Sequence, residues 1–329
     1  MSVTTVVRDR STEGVFVLEP EETAQVEAAA RALCARLPEV DDPRWVAEAR
    51  SAWEELPAAL RRRAGTYRRH SGTSGALLVR GLPVDEANLP LTPTAPGSVQ
   101  REVSVPAAVL MMTACGLGDP AAFRAEKSGA LVQDVVPVPG QETFQGNAGS
   151  VALMMHNENA FHAHRPDYVM LLCLRADHEG AAGLRTAGIR EALPLLPEDT
   201  VATLSAPEFS TQPPPSFGAS GGTVPAHPIL FGDPEDPDVR VDFAATTGTT
   251  ERAVAALHVL EKAFDDVSYT VRLSAGDLAV VDNRVTLHGR TAFTPRYDGN
   301  DRWLQRTFVL TDLRRSRDHR PDDGYVLSR

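Results

Sequence analysis

From Gly75 onward the chain breaks into apolar runs of four to six residues, such as Ala76-Leu77-Leu78-Val79, Val169-Met170-Leu171-Leu172-Cys173-Leu174 and Leu278-Ala279-Val280-Val281, punctuated by Gly, Pro and Asp. Runs of this length bounded by turn formers read as buried strands, and they are far too short to span a bilayer. Many short strands with irregular connections bury their apolar faces by closing sheet against sheet. The pattern therefore predicts an α+β chain with a mainly β core, a jelly roll or a similar barrel.

The N-terminal part differs. Residues about 20 to 68 place Ala, Leu, Val and Trp at helical spacing among charged residues, and Pro20 and Pro43 each stand where a first turn would begin. Residues up to about 70 are expected to be helical and to cover one face of a sheet. Helical spacing returns from Thr250 to Phe264, with Ala253, Ala256, Leu257 and Leu260 on one stripe. Two excursions interrupt the strands. Leu89 to Gly97 carries Pro90, Pro93 and Pro96, while Phe209 to Gly222 runs from the stiff Pro213-Pro214-Pro215 to Gly218, Gly221 and Gly222. Long loops in compact domains are often lids, so about 207–223 is expected to close over a site. Length alone allows one large or two ordinary domains, and β architectures often run long as single units. One domain over 1–329 is expected.

Asp and Glu number 44 against 33 Lys and Arg, a formal charge of −11 with a pI near 5.3. Such a balance disfavours nucleic acid and anionic membranes as partners but leaves a small zwitterion unaffected. Cys34, Cys115 and Cys173 lie far apart with no CxxC spacing, as reduced thiols do. With no basic-then-apolar leader at the start, a cytoplasmic protein is expected. The pattern carries no signal of oligomeric state.

The chemistry-bearing residues are His156-Asn157-Glu158 and the remote His288, in Asp282-Asn283-Arg284-Val285-Thr286-Leu287-His288-Gly289-Arg290. On an extended segment a His-x-Glu pair projects both side chains from one face, and a second His completes a set that holds Fe(II) with coordination positions open. Alone the triplet is weak, since most His residues are surface or satisfied core groups. Its context is stronger: His156 follows the apolar Val151 to Met155, and His288 comes shortly after the run Leu278 to Val281. Dioxygen activation at such iron needs a two-electron co-substrate, and the usual one, 2-oxoglutarate, has a distal carboxylate that a guanidinium grips bidentately. Arg302, fourteen residues after His288, fits that need. Zinc is the competing metal, but a zinc hydrolase wants a further general base and has no particular use for Arg302. A Glu at position 158, where Gly or Ala would leave room for chloride, favours hydroxylation over halogenation. His162 and His164 could compete as ligands but are expected to have a structural or rim role, and His70, His178, His227, His258 and His319 carry no spacing signal.

With these residues in hand, the chain resembles the clavaminate synthase-like branch of Fe(II)/2-oxoglutarate oxygenases, which hydroxylate free amino acids. The likeness is carried by His156 to His162, Arg165-Pro166-Asp167-Tyr168 through Arg175, Asp282 to Arg290, Phe293-Thr294-Pro295-Arg296-Tyr297-Asp298-Gly299 and Asp301-Arg302-Trp303-Leu304. Within that branch it is strongest to members that act on asparagine, including over Gly97 to Glu102 and Gly129 to Gly140. The resemblance implies a double-stranded β-helix with flanking N-terminal and inserted helices. It implies iron on His156, Glu158 and His288, the 2-oxoglutarate tail on Arg302, and a substrate pocket of Glu126, Asn147, Asp242 and Arg306 under the Pro-rich loop. It implies a dioxygenase that uses O2 to turn free L-asparagine into 3-hydroxyasparagine for nonribosomal peptides. Where many relatives carry a Thr pair, this chain has Leu184-Arg185.

The four pocket positions make chemical sense. A free amino acid offers a carboxylate and an ammonium, which suit Arg306 and Glu126, and an amide side chain offers a donor and an acceptor, which suit Asp242 and Asn147. The plainer alternative pairs Glu126 with Arg124 or Lys127 at the surface. Arg306 is four residues beyond Arg302, so in a strand both guanidiniums share a face. Arg240, two residues before Asp242, is expected to discourage cationic side chains. The same reaction on aspartate, glutamine or citrulline, and a metal-binding jelly roll without turnover, remain alternatives.

Overall fold

The computed structural model describes residues 14–217 and 225–328. Its main sheet runs, edge to edge, through Val15–Val17, Ala76–Arg80, Leu278–Asp282, Tyr168–Arg175, Trp303–Leu310, Asp119–Phe123 and Val326–Leu327, with Gln133–Val135 also paired to Trp303–Leu310. The central pairings are antiparallel, and parallel ladders occur only at the two edges. A second, antiparallel sheet is formed by Tyr269–Arg272, Gly183–Gly188, Thr286–Arg290 and Leu153–His156.

Side-chain alternation builds the layers, because successive residues of a strand face opposite sides. Tyr168, Met170, Leu172 and Leu174 pack among the N-terminal helices with Leu278, Val280, Trp303 and Val309. Their neighbours Val169, Leu171 and Cys173 turn the other way, with Ala279, Leu304 and Phe308 of the same sheet, toward Leu184 of the second sheet. On the far side of that sheet, Ala187 and Leu287 meet Ala253, Ala256, Leu260, Ala263 and Phe264 of the helix Glu251–Val267. Helices thus cover two facing sheets on both outer sides, the jelly-roll arrangement expected.

Helices Pro20–Cys34, Pro43–Glu54 and Ala58–Arg69 form the expected N-terminal cover, and Thr250 caps the predicted C-terminal helix by accepting from the Ala253 N–H at 3.2 Å. A further helix, Val105–Leu117, has no counterpart in the sequence reading. Nearly every residue of it is buried, so the apolar stripe that reveals a surface helix is missing. Its Gly116 lies under Trp53, where a Cβ would come within 2.3 Å of the indole.

The excursion Leu89 to Gly97 is tied to the segment before Trp303. The Thr92 amide donates to Gly299 O at 2.8 Å and its hydroxyl to Asp301 O at 2.8 Å, while Arg175 donates to Thr92 Oγ1, Gly299 O and Pro90 O. The expected lid begins as the strand Phe209–Thr211, paired with Thr246–Gly248, and reaches Phe217. The Phe217 ring sits 4.7 Å from Phe161 and 6.0 Å from Phe123, and the rest of the predicted lid, from residue 218, lies outside the described residues. Cys115 and Cys173 are buried free thiols, both pushed up to about 12 by burial, and Cys34 is half-buried. Among the described residues no helix is long and apolar enough to cross a membrane.

Candidate active site

The two metal-candidate segments meet in the second sheet. His156 ends Leu153–His156 and is the direct cross-strand partner of His288, which lies inside its own strand, Thr286–Arg290. The two rings are 4.4 Å apart. Just after His288, Gly289 permits the close approach of the two strands, since a Cβ there would fall 2.6 Å from Leu153 O.

Glu158 is held by Asn283, which is 0% exposed. Asn283 Oδ1 accepts from the Glu158 N–H at 2.7 Å, and its Nδ2 donates to Glu158 O at 3.0 Å and Pro166 O at 2.8 Å. Asn157 returns the brace, donating to Asn283 O and Thr286 O while accepting from Val241 N. The ligating atoms of His156, Glu158 and His288 all lie within 4.8 Å of one another.

The protonation states suit a divalent cation. His156 Nδ1 lies 2.9 Å from Met154 O and donates to that carbonyl, which leaves Nε2 as the ring's ligand atom. Burial, and then the neighbouring His156, push the His288 pKa down and keep its ring neutral. Burial opposes ionisation of Glu158, but the Arg306 guanidinium outweighs it and holds the carboxyl well below its usual range. Two imidazoles and one carboxylate, with Glu158 and His288 buried and His156 half-buried, match a two-His, one-carboxylate iron site. Two other His/Asp groups, His164 with Asp318 and His319, and His178 with Asp298 and Asp301, each depend on an exposed Asp.

Arg306 lies in Trp303–Leu310, where even-numbered residues face the space between the sheets. It is 3% exposed, and its Nη1 donates to Glu158 Oε2 at 3.0 Å. Its Nη2 donates to Glu126 and Gln133, and Asn147, with its carbonyl turned toward the guanidinium, accepts at 3.0 and 3.2 Å. Glu126, Asn147 and Arg306 therefore converge beside the metal-candidate carboxylate. Glu126 pairs with neither Arg124 nor Lys127, whose ammonium goes to Ser98 O and Asp134 O. Gln133 was not predicted. It is a buried polar residue facing Arg306 in the ladder, and only the pairing register reveals it.

Asp242 bridges to His156 through its backbone, and its Oδ1 accepts from Ala244 N at 2.8 Å. Arg240 has a bracing role not foreseen, because its guanidinium donates to Ala160 O and Phe161 O just after Glu158. His162 stacks edge-on against Phe123 in the aromatic cluster around Phe217, consistent with a rim position. Arg185 turns outward to Asp265 and Ser268, while Leu184 faces the interior.

Arg302 stands just before the Arg306 strand, 6% exposed, and its guanidinium makes no hydrogen bond or ion pair with a described residue. Its Cζ lies 5.8 Å from the Phe293 ring centre, and burial pushes its pKa down. A buried unpaired cation is costly and favours the arrival of an anion.

Comparison with known proteins agrees with this geometry. The chain is 66% identical to the L-asparagine oxygenase of Streptomyces coelicolor over 87% of its length and 86% of the relative's. It is 36% identical to clavaminate synthase 2 of Streptomyces clavuligerus, over 85% of its length and 89% of the relative's. Its structure superposes on that of an asparagine oxygenase in complex with Fe(II), 2S,3S-3-hydroxyasparagine and succinate with a TM-score of 0.94 at 62% identity, covering 96% of this chain and 99% of the other. The model of the taurine catabolism dioxygenase TauD, TfdA family matches residues 68–308, and with the His/Glu/His face this places the chain in that family of dioxygenases.

Proposed function

We propose that this protein is an Fe(II)- and 2-oxoglutarate-dependent dioxygenase that hydroxylates free L-asparagine at Cβ to 3-hydroxyasparagine, for use in nonribosomal peptides. One observation carries the reading: Arg306 joins the metal-candidate Glu158 to the half-buried Glu126, so amino-acid recognition groups abut the metal face. The likeness to an asparagine oxygenase holding that product and succinate supports it.

Fe(II) on His156, Glu158 and His288, with 2-oxoglutarate and O2, supplies the oxidising power, and the oxo acid leaves as succinate and CO2. The protein's part is position and exclusion of water. Arg302, with no partner of its own, takes the distal carboxylate of 2-oxoglutarate. The Arg306–Glu126 pair opens to admit the zwitterion, the guanidinium receiving its carboxylate and Glu126 its ammonium. Glu126 Oε2, buried without a partner, is the acceptor ready for that ammonium. Asp242 Oδ2 accepts from the side-chain amide N–H, and Asn147, whose carbonyl faces Arg306, donates its amide N–H to the side-chain carbonyl. Phe123, Phe161 and His162 form an aromatic seat for Phe217 of the loop at about 207–223, which closes over the site. Residues 1–329 act as one domain, and unpaired thiols suit a cytoplasmic setting.

Succinate release from the iron-loaded protein, measured across free asparagine, aspartate, glutamine and citrulline, tests the reading. Asparagine should give the largest kcat/KM. A better rate on another amino acid would reassign the substrate, and no release with any would leave a metal-binding jelly roll without turnover.

A further inference from the structure

Two buried guanidiniums stand at the co-substrate end of the site. Arg290 follows His288 by two residues in one strand, so its side chain leaves the same face, and it lies across from Leu184 as His288 lies across from Thr186. Leu184 offers no donor, which leaves Arg290 as the polar member of that rung. Arg290 is 4% exposed; its Nη2 donates to Val151 O at 2.9 Å, and its Nε is buried with no partner. Its Cζ lies 5.2 Å from the Phe293 ring centre, and the Arg302 Cζ lies 5.8 Å from the same ring. Neither guanidinium has a carboxylate of a described residue within ion-pair distance. Like charges buried around one ring with no carboxylate in contact repel each other, and an anion seated between them removes that cost.

We infer that Arg290 and Arg302 together clasp the distal carboxylate of the oxo acid, so that Arg290 helps the enzyme select a dicarboxylic over a monocarboxylic 2-oxo acid. The inference rests on the reading of 2-oxoglutarate as co-substrate. A carboxylate has enough lone pairs to accept from both forks, whereas an acid without it leaves both cations buried and unpaired.

The test compares two ligands of equal chain length, 2-oxoglutarate and 2-oxopentanoate, by anaerobic calorimetric titration of Fe(II)-loaded wild type and Arg290→Gln. In the variant, 2-oxoglutarate should bind on the order of ten- to a hundredfold more weakly, the size of a lost charge-assisted hydrogen bond, while 2-oxopentanoate binds within about twofold of wild type. Equal weakening of both ligands would show that Arg290 only props up the Val151 carbonyl, and unchanged 2-oxoglutarate affinity would show that it does not face the co-substrate; either overturns the inference. A wild type that does not prefer 2-oxoglutarate would instead remove the co-substrate reading beneath it. Should Arg290→Gln fail to accumulate folded, Arg290→Lys keeps the charge and loses the fork. Its preference for 2-oxoglutarate should then fall severalfold, and a retained preference counts against the inference.

Discussion

Replacing Asn283 with Ala is the sharpest test of how this fold builds its metal face. The side chain is fully buried and makes three hydrogen bonds, at 2.7, 3.0 and 2.8 Å, to Glu158 N, Glu158 O and Pro166 O. Removing it strands one backbone donor and two acceptors away from water, at roughly 1 to 3 kcal/mol each before relaxation. Lowered for partial relaxation, and because losses above about 4 to 5 kcal/mol are exceptional, the expected destabilisation of the metal-free protein is about 3 to 5 kcal/mol. Urea titration followed by circular dichroism measures it. The same bonds fix Glu158, so iron affinity measured by chelator competition should drop on the order of 10- to 100-fold, as for other partners that orient metal ligands. Asn283→Asp retains the acceptor but sets a carboxylate oxygen against two carbonyls, and should do no better than Ala. A loss below about 1 kcal/mol with unchanged iron affinity would refute the claim that Asn283 positions Glu158, since neither arm of the estimate would then hold.

Further outcomes follow from the same geometry. Glu158→Ala should abolish hydroxylation in an iron-replete assay, and undiminished turnover would remove Glu158 from the ligand set. Asp242→Asn should move preference from asparagine toward aspartate, because the wild-type carboxylate repels an acidic side chain and an amide donates to it; an unchanged ratio of kcat/KM would show that Asp242 does not read the side chain. Burial, then the Arg306 charge, bring the Lys127 pKa down to about 8. Between that value and the ordinary one near 10.5 the unfolded chain binds more protons than the folded one, so Lys127 makes stability rise with pH across this window, by at most roughly 3 kcal/mol. Lys127→Met should flatten that rise in denaturant titrations at pH 7.5 and 10.5, and an equal rise in both proteins would contradict the assignment.

Much of the architecture was legible because strand and helix periods are local. The runs at Ala76, Val169 and Leu278 became adjacent strands of the main sheet, and the stripe at Ala253, Ala256 and Leu260 became the buried face of a helix. Helix Val105–Leu117 was not legible, since burial on all sides erases the periodic contrast between faces. The predicted site residues Glu126, Asn147 and Arg306 do converge, yet their pairing with one another, and the part of Gln133, belong to strand register. Arg240 was read as a discriminating cation, and only the fold reveals that its Nε and Nη2 also donate to the carbonyls of Ala160 and Phe161.

The sequence by itself determined the chemical inventory: a His-x-Glu pair at the end of an apolar run, a second His in a later run, and arginines at even spacing beyond it. These are short-range facts, written in residue type and the alternation of a strand. Only the tertiary structure decided that His288 faces His156, that Asn283 locks Glu158, and that Arg290 joins Arg302 around one ring. Antiparallel register between strands distant in the chain sets those meetings, and register depends on how two whole sheets bury their faces, which no single segment encodes.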